Sequence, residues 1–119
     1  MPRYVVLTHD HPALHWDLML ECGDVLRTWR LNTPPVEGEI VLAEAIPDHR
    51  RMYLDYEGPV SHNRGTVSRW DCGSYEGDVD DDNRIEIDVR GEKLSGRLSL
   101  NRRDAANVWE LEYTVSSNA

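Results

Sequence analysis

No stretch of this chain stays apolar for anything near the roughly 20 residues that cross a bilayer, and no basic-then-apolar leader opens it. The expectation is a soluble, cytoplasmic protein with no membrane partner. Cysteine is scarce. Cys22 and Cys72 lie far apart without Cys-x-x-Cys spacing, which argues against a zinc knuckle or a redox motif. Free thiols are the default, although each cysteine adjoins a turn glycine (Gly23, Gly73) and a meeting in space stays open. Positive charge is also short: 13 Lys and Arg face 22 Asp and Glu, a net charge of -9, which speaks against a protein that coats nucleic acid non-specifically. The imbalance is local. Acid gathers at Glu76, Asp78 to Asp82, Glu86, Asp88 and Glu92, whereas Arg27, Arg30, Arg50, Arg51, Arg64 and Arg69 precede it, leaving room for a basic site. Internal repeats, linkers and a sustained 3.6-residue period are missing as well. At 119 residues this suggests one domain, 1–119, with a real core, acting as a monomer.

What is present is alternation. Strand-like runs stand at 4–8, a continuous apolar run, and at 14–21, 25–31, 65–70, 85–89, 94–100 and 109–115, with apolar residues alternating most clearly at 14–21, 85–89 and 109–115 and a weaker run at 39–45 closed by Pro47. Between them stand a loop at 9–13 with Pro12, a turn at 22–24, a break at 32–35, and an irregular stretch at 47–58 read as a loop or short helix. A turn is expected at 71–74, an exposed acidic loop at 77–83, a turn at 91–92, a loop at 101–107 and a fraying tail at 116–119. The fold class this predicts is all-β and mainly antiparallel, a compact β-barrel with little helix.

The run Thr8-His9-Asp10-His11-Pro12-Ala13-Leu14-His15-Trp16-Asp17-Leu18-Met19-Leu20-Glu21 holds three of the five histidines. Read as a strand from Leu14, it sets Leu14, Trp16, Leu18 and Leu20 on one face and His15, Asp17, Met19 and Glu21 on the other. His15 and Asp17 then share a space with His9, delivered from the end of the preceding strand. Two imidazoles and a carboxylate suit a divalent transition metal held on one side only. Nitrogen and oxygen donors fit Mn, Fe and Zn alike. The structural alternative is a half-exposed strand whose polar residues bond to backbone.

The order His9-Asp10, His15-Trp16-Asp17-Leu18, Leu20-Glu21, Leu26 and Trp29 resembles the 3′-phosphoesterase domain of bacterial DNA ligase D and its stand-alone relatives. Asp48-His49 with Tyr53, then Asp55-Tyr56-Glu57-Gly58, Gly65-Thr66-Val67, Trp70-Asp71, Gly73, and the segments 91–100 and 109–113 extend the resemblance over nearly the whole chain. It implies a β-barrel, usually manganese-dependent, that trims a terminal phosphate or ribonucleotide from 3′ ends of DNA or RNA. By the same resemblance His9, His15 and Asp17 hold the metal, His49 engages the phosphate and Tyr53 stands beside it. Two family arginines are missing: their positions carry Met19 and Val41. Methionine offers neither charge nor donors, so the reaction is lost, is shifted to another substrate, or has its grip on phosphate supplied by Arg27, Arg30, Arg51 or Arg64.

The expected mechanism has a metal acidifying water and screening the phosphate while a protonated His49 stabilises charge on the phosphoryl oxygens or protonates the leaving oxygen and Tyr53 positions it. Asp10 is a candidate for orienting a ligand histidine, and Glu21 for a further ligand or acceptor. His11 and His62 are expected in solvent with no role. Two rivals stand beside the phosphoesterase: a catalytically impaired barrel that binds metal or nucleic-acid ends, and an iron oxygenase in which His15, Asp17 and His49 form the triad. A ligase or repair partner is left undefined.

Overall fold

The computed structural model describes residues 1–103 and 106–116. Its strands are β1 (Arg3–His9), β2 (His15–Cys22), β3 (Val25–Leu31), β4 (Ile40–Arg50), β5 (Gly58–Pro59), β6 (Thr66–Glu76), β7 (Arg84–Gly91), β8 (Ser95–Arg102) and β9 (Val108–Val115), with one 3-10 turn at Arg51–Leu54. All nine belong to one antiparallel sheet ordered β1-β2-β3-β4-β9-β8-β7-β6-β5. Pairing of β1 with β6 as well as β2 brings the ends of the sheet together into a ring. Among the described residues, closure leaves no long unpaired edge for another chain to join.

Alternation along each strand decides what the ring encloses. Tyr4 and Val6, Leu18 and Leu20, Trp29 and Leu31, Ile85, Ile87 and Val89, Leu98 and Leu100, Trp109 and Leu111 all pack into one interior cluster. The Trp29 and Trp109 rings meet edge to face at 5.5 Å, the arrangement their quadrupoles favour. Each such buried side chain contributes about 1.5–3 kcal/mol relative to exposure. A smaller cluster, Val5, Leu7, Met19, Leu26, Leu54 and Val67, lies on the outside of β1, β2, β3 and β6, capped by the 3-10 turn. Cys22 and Cys72 are free and pack against different clusters.

Several expected boundaries move. Leu14 is 57% exposed and lies in the loop, because the β1–β2 ladder starts with His9 opposite His15. β4 does not stop at Pro47 but runs to Arg50, since a register shift opposite Leu26 and Thr28 places the proline where the ladder is already interrupted. β6 passes through 71–74, the expected turn. There Asp71 is fully buried, accepting the Tyr4 hydroxyl at 2.6 Å and the Lys93 and Leu94 N–H groups at 2.8 and 3.1 Å. These tertiary partners outweigh the local turn preference. Only glycine fits at 91, because a Cβ there would lie 1.9 Å from the Tyr4 hydroxyl. The acidic loop at 77–83 also gives one residue to the core, Val79, over which Arg27 donates to the carbonyls of Val79 and Asp81. Of the tail expected to fray, 117–119 lie outside the described residues, as do 104–105 of the 101–107 loop.

Candidate metal centre

The β1–β2 register sets His9 directly across from His15, with Asp17 two residues further along the same outer face. One ligand atom from each of the three lies within 4.8 Å of the others. His15 Nε2 is 3.2 Å and His9 Nδ1 is 3.7 Å from the same oxygen, Asp17 Oδ2. The two imidazole rings stand 4.9 Å apart at 62°. His15 and Asp17 are buried, and His9 is half-buried at the rim.

Backbone carbonyls fix which nitrogens face inward. His15 Nδ1 meets the Ala13 carbonyl at 2.9 Å, and His9 Nε2 meets the Arg64 carbonyl at 2.8 Å. A carbonyl only accepts, so in each neutral ring the N–H is spent there and the other nitrogen presents a lone pair to the carboxylate. Three electron-rich groups turned toward each other favour a cation among them. Asp17 Oδ1, buried and without a hydrogen-bond partner among the described residues, adds a further vacant acceptor. The donor set therefore fits a divalent metal held by two nitrogens and an oxygen.

The loop that supplies the Arg64 carbonyl has an unusual backbone. His62 and Asn63 adopt φ of 63° and 54°, and Gly65 follows at 77°. A Cβ on Gly65 would lie 2.3 Å from Asp10 Oδ1 and 2.6 Å from the His11 Cβ. Asp10, expected to orient a histidine directly, instead accepts the Thr66 N–H at 2.7 Å. That bond ties down the loop whose Arg64 carbonyl meets His9. The sequence shows the turn-forming character of Asn63 and Gly65, but not which carbonyl the turn delivers.

Beside the cluster opens a cleft of about 560 Å³, lined by His9, Asp17, Arg30, His49, Tyr53 and Arg64 among others. The irregularity in β4 aims His49 there: it pairs with Leu26, whose side chain lies on the outer face, as does Ile46 through Thr28. His49 Nδ1 meets the Pro47 carbonyl at 2.9 Å, and its ring stands edge-on to Tyr53 at 5.8 Å. His11, expected in solvent, also lines the cleft, its ring 6.4 Å from that of His9. His9 rather than His49 completes the group around Asp17, which disfavours the iron-oxygenase triad.

The model of the DNA ligase D 3′-phosphoesterase domain matches residues 7–102, from the end of β1 to the end of β8. The chain belongs to this family. Among curated relatives of this 3′-phosphoesterase family member, the multifunctional non-homologous end joining protein LigD of Pseudomonas aeruginosa is 33% identical, over 92% of the chain. The LigD protein of Mycolicibacterium smegmatis is 34% identical over 82% of the chain, and that of Mycobacterium tuberculosis 30% identical over 83%. The alignments take in 14%, 15% and 14% of these relatives, so the chain corresponds to a small part of each. His9, His15, Asp17, His49 and Tyr53 all fall inside the family match.

Against the 3′-phosphoesterase pattern, the two positions expected to carry arginine are closed to the cleft. Met19 is buried in the outer apolar cluster and Val41 inside the ring. Glu21, a candidate ligand, sits at the far end of β2, about 20 Å from His15 at roughly 3.3 Å per residue. Its carboxylate accepts the Arg3 N–H at 2.9 Å and pairs with Arg51, which sets both Glu21 and Arg51 apart from the His9, His15 and Asp17 group. The Arg3 amide first, and then Arg51, hold the Glu21 carboxyl below its ordinary value. Arg27 is also excluded as a clamp, because it stacks over Trp29 and Trp109 on the inner side of the sheet.

Proposed function

We propose that this chain is a metal-dependent phosphoesterase that removes a terminal phosphate or ribonucleotide from 3′ ends of DNA or RNA during end repair. The observation that carries this reading is the convergence of His9, His15 and Asp17 at one wall of an open cleft in a member of the 3′-phosphoesterase family. These three residues would hold the ion, with manganese the expected metal. When bound, the ion supplies Lewis acidity and neutralises charge on the phosphate.

The remaining work falls to the chain itself. The Arg64 and Ala13 carbonyls keep both imidazoles turned inward, which spares the cost of reorganising them when the ion and substrate arrive. His49 Nδ1 meets the Pro47 carbonyl, which leaves Nε2 for the cleft; in the imidazolium form that nitrogen would also carry a proton. Water adds to phosphorus, the bond from phosphorus to the 3′ oxygen breaks, and His49 Nε2 gives that oxygen its proton. Tyr53 braces the His49 ring edge-on during the transfer.

A second reading, a ring that binds metal or nucleic-acid ends without turnover, draws on the burial of Met19 where a cation would grip phosphate. Release of inorganic phosphate from a 3′-phosphorylated primer with added manganese separates the two. Turnover in the wild type that falls at least about 100-fold in His15→Ala supports the phosphoesterase. Equal background release from both proteins, with manganese still bound by the wild type, would leave the binding module.

A further inference from the structure

We propose that Arg30 is the residue that grips the phosphate in this chain, reaching the metal centre from β3. The inference rests on the phosphoesterase reading for the identity of the ligand, a phosphate at a nucleic-acid 3′ end. Its support comes from the cleft's own cations.

Among the described residues, three arginines line the cleft: Arg30, Arg50 and Arg64. The Arg64 guanidinium is committed to the Ser61 carbonyl at 2.8 Å and the Ser61 hydroxyl at 3.1 Å. Arg50 is exposed, at the end of β4. Arg30 differs from both. It lies directly across from Asp17 on one side and Glu44 on the other, so its side chain leaves the sheet beside the metal centre on the same face. An arginine flanked by two carboxylates normally pairs with one of them, yet Arg30 makes no ion pair among the described residues. Its Nε is buried with no hydrogen-bond partner.

A buried donor without an acceptor is a rare and costly state, and a ligand oxygen is a ready means of satisfying it. The guanidinium offers parallel N–H groups in a plane that match two oxygens of one phosphate. With Asp17 directly across the β2–β3 pair and His15 two residues along β2, phosphate held by Arg30 would sit between that fork and the metal. The clamp has thus moved across the sheet. A cation on β3 takes up the role that Met19, turned into the apolar cluster, leaves unfilled on β2.

The test uses the full chain loaded with manganese and two primers, one ending in 3′-phosphate and one in 3′-hydroxyl. Equilibrium binding and phosphate release are measured for the wild type, Arg30→Met, Arg30→Lys and Arg50→Met, with manganese affinity and thermal melting recorded for each. The expected result is a wild-type preference for the phosphorylated end that drops about tenfold or more in Arg30→Met. Turnover falls about 100-fold with manganese affinity unchanged. Arg30→Lys, which keeps the charge and loses the fork, lies between, and Arg50→Met loses less of the preference than Arg30→Met.

Arg30→Met that is folded and matches the wild type in preference and turnover overturns the clamp while leaving the phosphoesterase intact. A wild type that prefers the phosphorylated end but does not turn over, with the preference lost in Arg30→Met, keeps the clamp and ends the catalytic reading. No preference in the wild type overturns the clamp. If Arg30→Met melts early, the folded Arg30→Lys decides by the same comparison.

Discussion

The chemistry of the centre depends on which nitrogen of each histidine is already occupied. Ala13 and Arg64 contribute no side chain to the ligand set, but their carbonyls turn His15 and His9 so that free nitrogens converge on Asp17. An ion that fills this space binds the folded chain and has no such site in the unfolded one. Manganese at about 100 times its dissociation constant should therefore raise the unfolding free energy by about 2.7 kcal/mol. Denaturant titration with and without the metal measures this, and Asp17→Asn should abolish the difference. Equal stabilisation of wild type and variant would place the bound ion elsewhere.

At the scale of elements, the 3-10 turn Arg51–Leu54 carries Tyr53 to the cleft and pushes Leu54 into the outer cluster. Charges hold its ends: Arg51 pairs with Glu21, and Arg3 meets Asp55 at 2.6 Å. The second pair is exposed at both partners and contributes little. Glu21 is more enclosed, and its carboxyl is held below the ordinary 4.5 by the Arg3 amide and then by Arg51. A carboxyl depressed in the fold stabilises it above the unfolded value, and that contribution disappears as pH falls through the folded value. The denaturation midpoint of the wild type should consequently decline as pH drops below about 4.5, and more steeply than that of Glu21→Gln. Parallel acid limbs for the two proteins would show that Glu21 does not anchor the turn.

For the molecule as a whole, the decisive event is the meeting of β1 and β6, which turns an open sheet into a ring and sets the outer face of β1 and β2 against the 61–65 loop. The seam is pinned by a buried carboxylate. Asp71 collects the Tyr4 hydroxyl and two amides from the β7–β8 turn, and Gly91 leaves room for the approach. Burial, helped by the Asp71 bond, raises the Tyr4 phenol far above its ordinary value, so it remains a donor throughout the physiological range. Removing that donor in Tyr4→Phe should cost about 1.5–3 kcal/mol, the usual worth of a hydrogen bond to a charged group. Manganese affinity should barely change. Chemical denaturation gives the first quantity and metal titration the second, and an undiminished midpoint would relocate the seam's support to packing alone.

The sequence by itself determined the strands whose inner residues alternate without interruption, as in 85–89 and 109–115, because a period of two leaves one solution for which face is buried. It also brought His9, His15 and Asp17 together, since His15 and Asp17 two apart on a strand must share a face and His9 ends the strand beside them. Only the tertiary structure decided where alternation is broken by long-range partners. Asp71 reads as a turn residue until Tyr4, Lys93 and Leu94 satisfy it, and Pro47 reads as a terminator until the register shift in β4 accommodates it. Which arginines are spent and which remain available was decided there too. Arg51 belongs to Glu21, Arg27 to two carbonyls and Arg64 to Ser61, and only the packed fold could leave Arg30 lining a cleft with its Nε buried and unpartnered among the described residues.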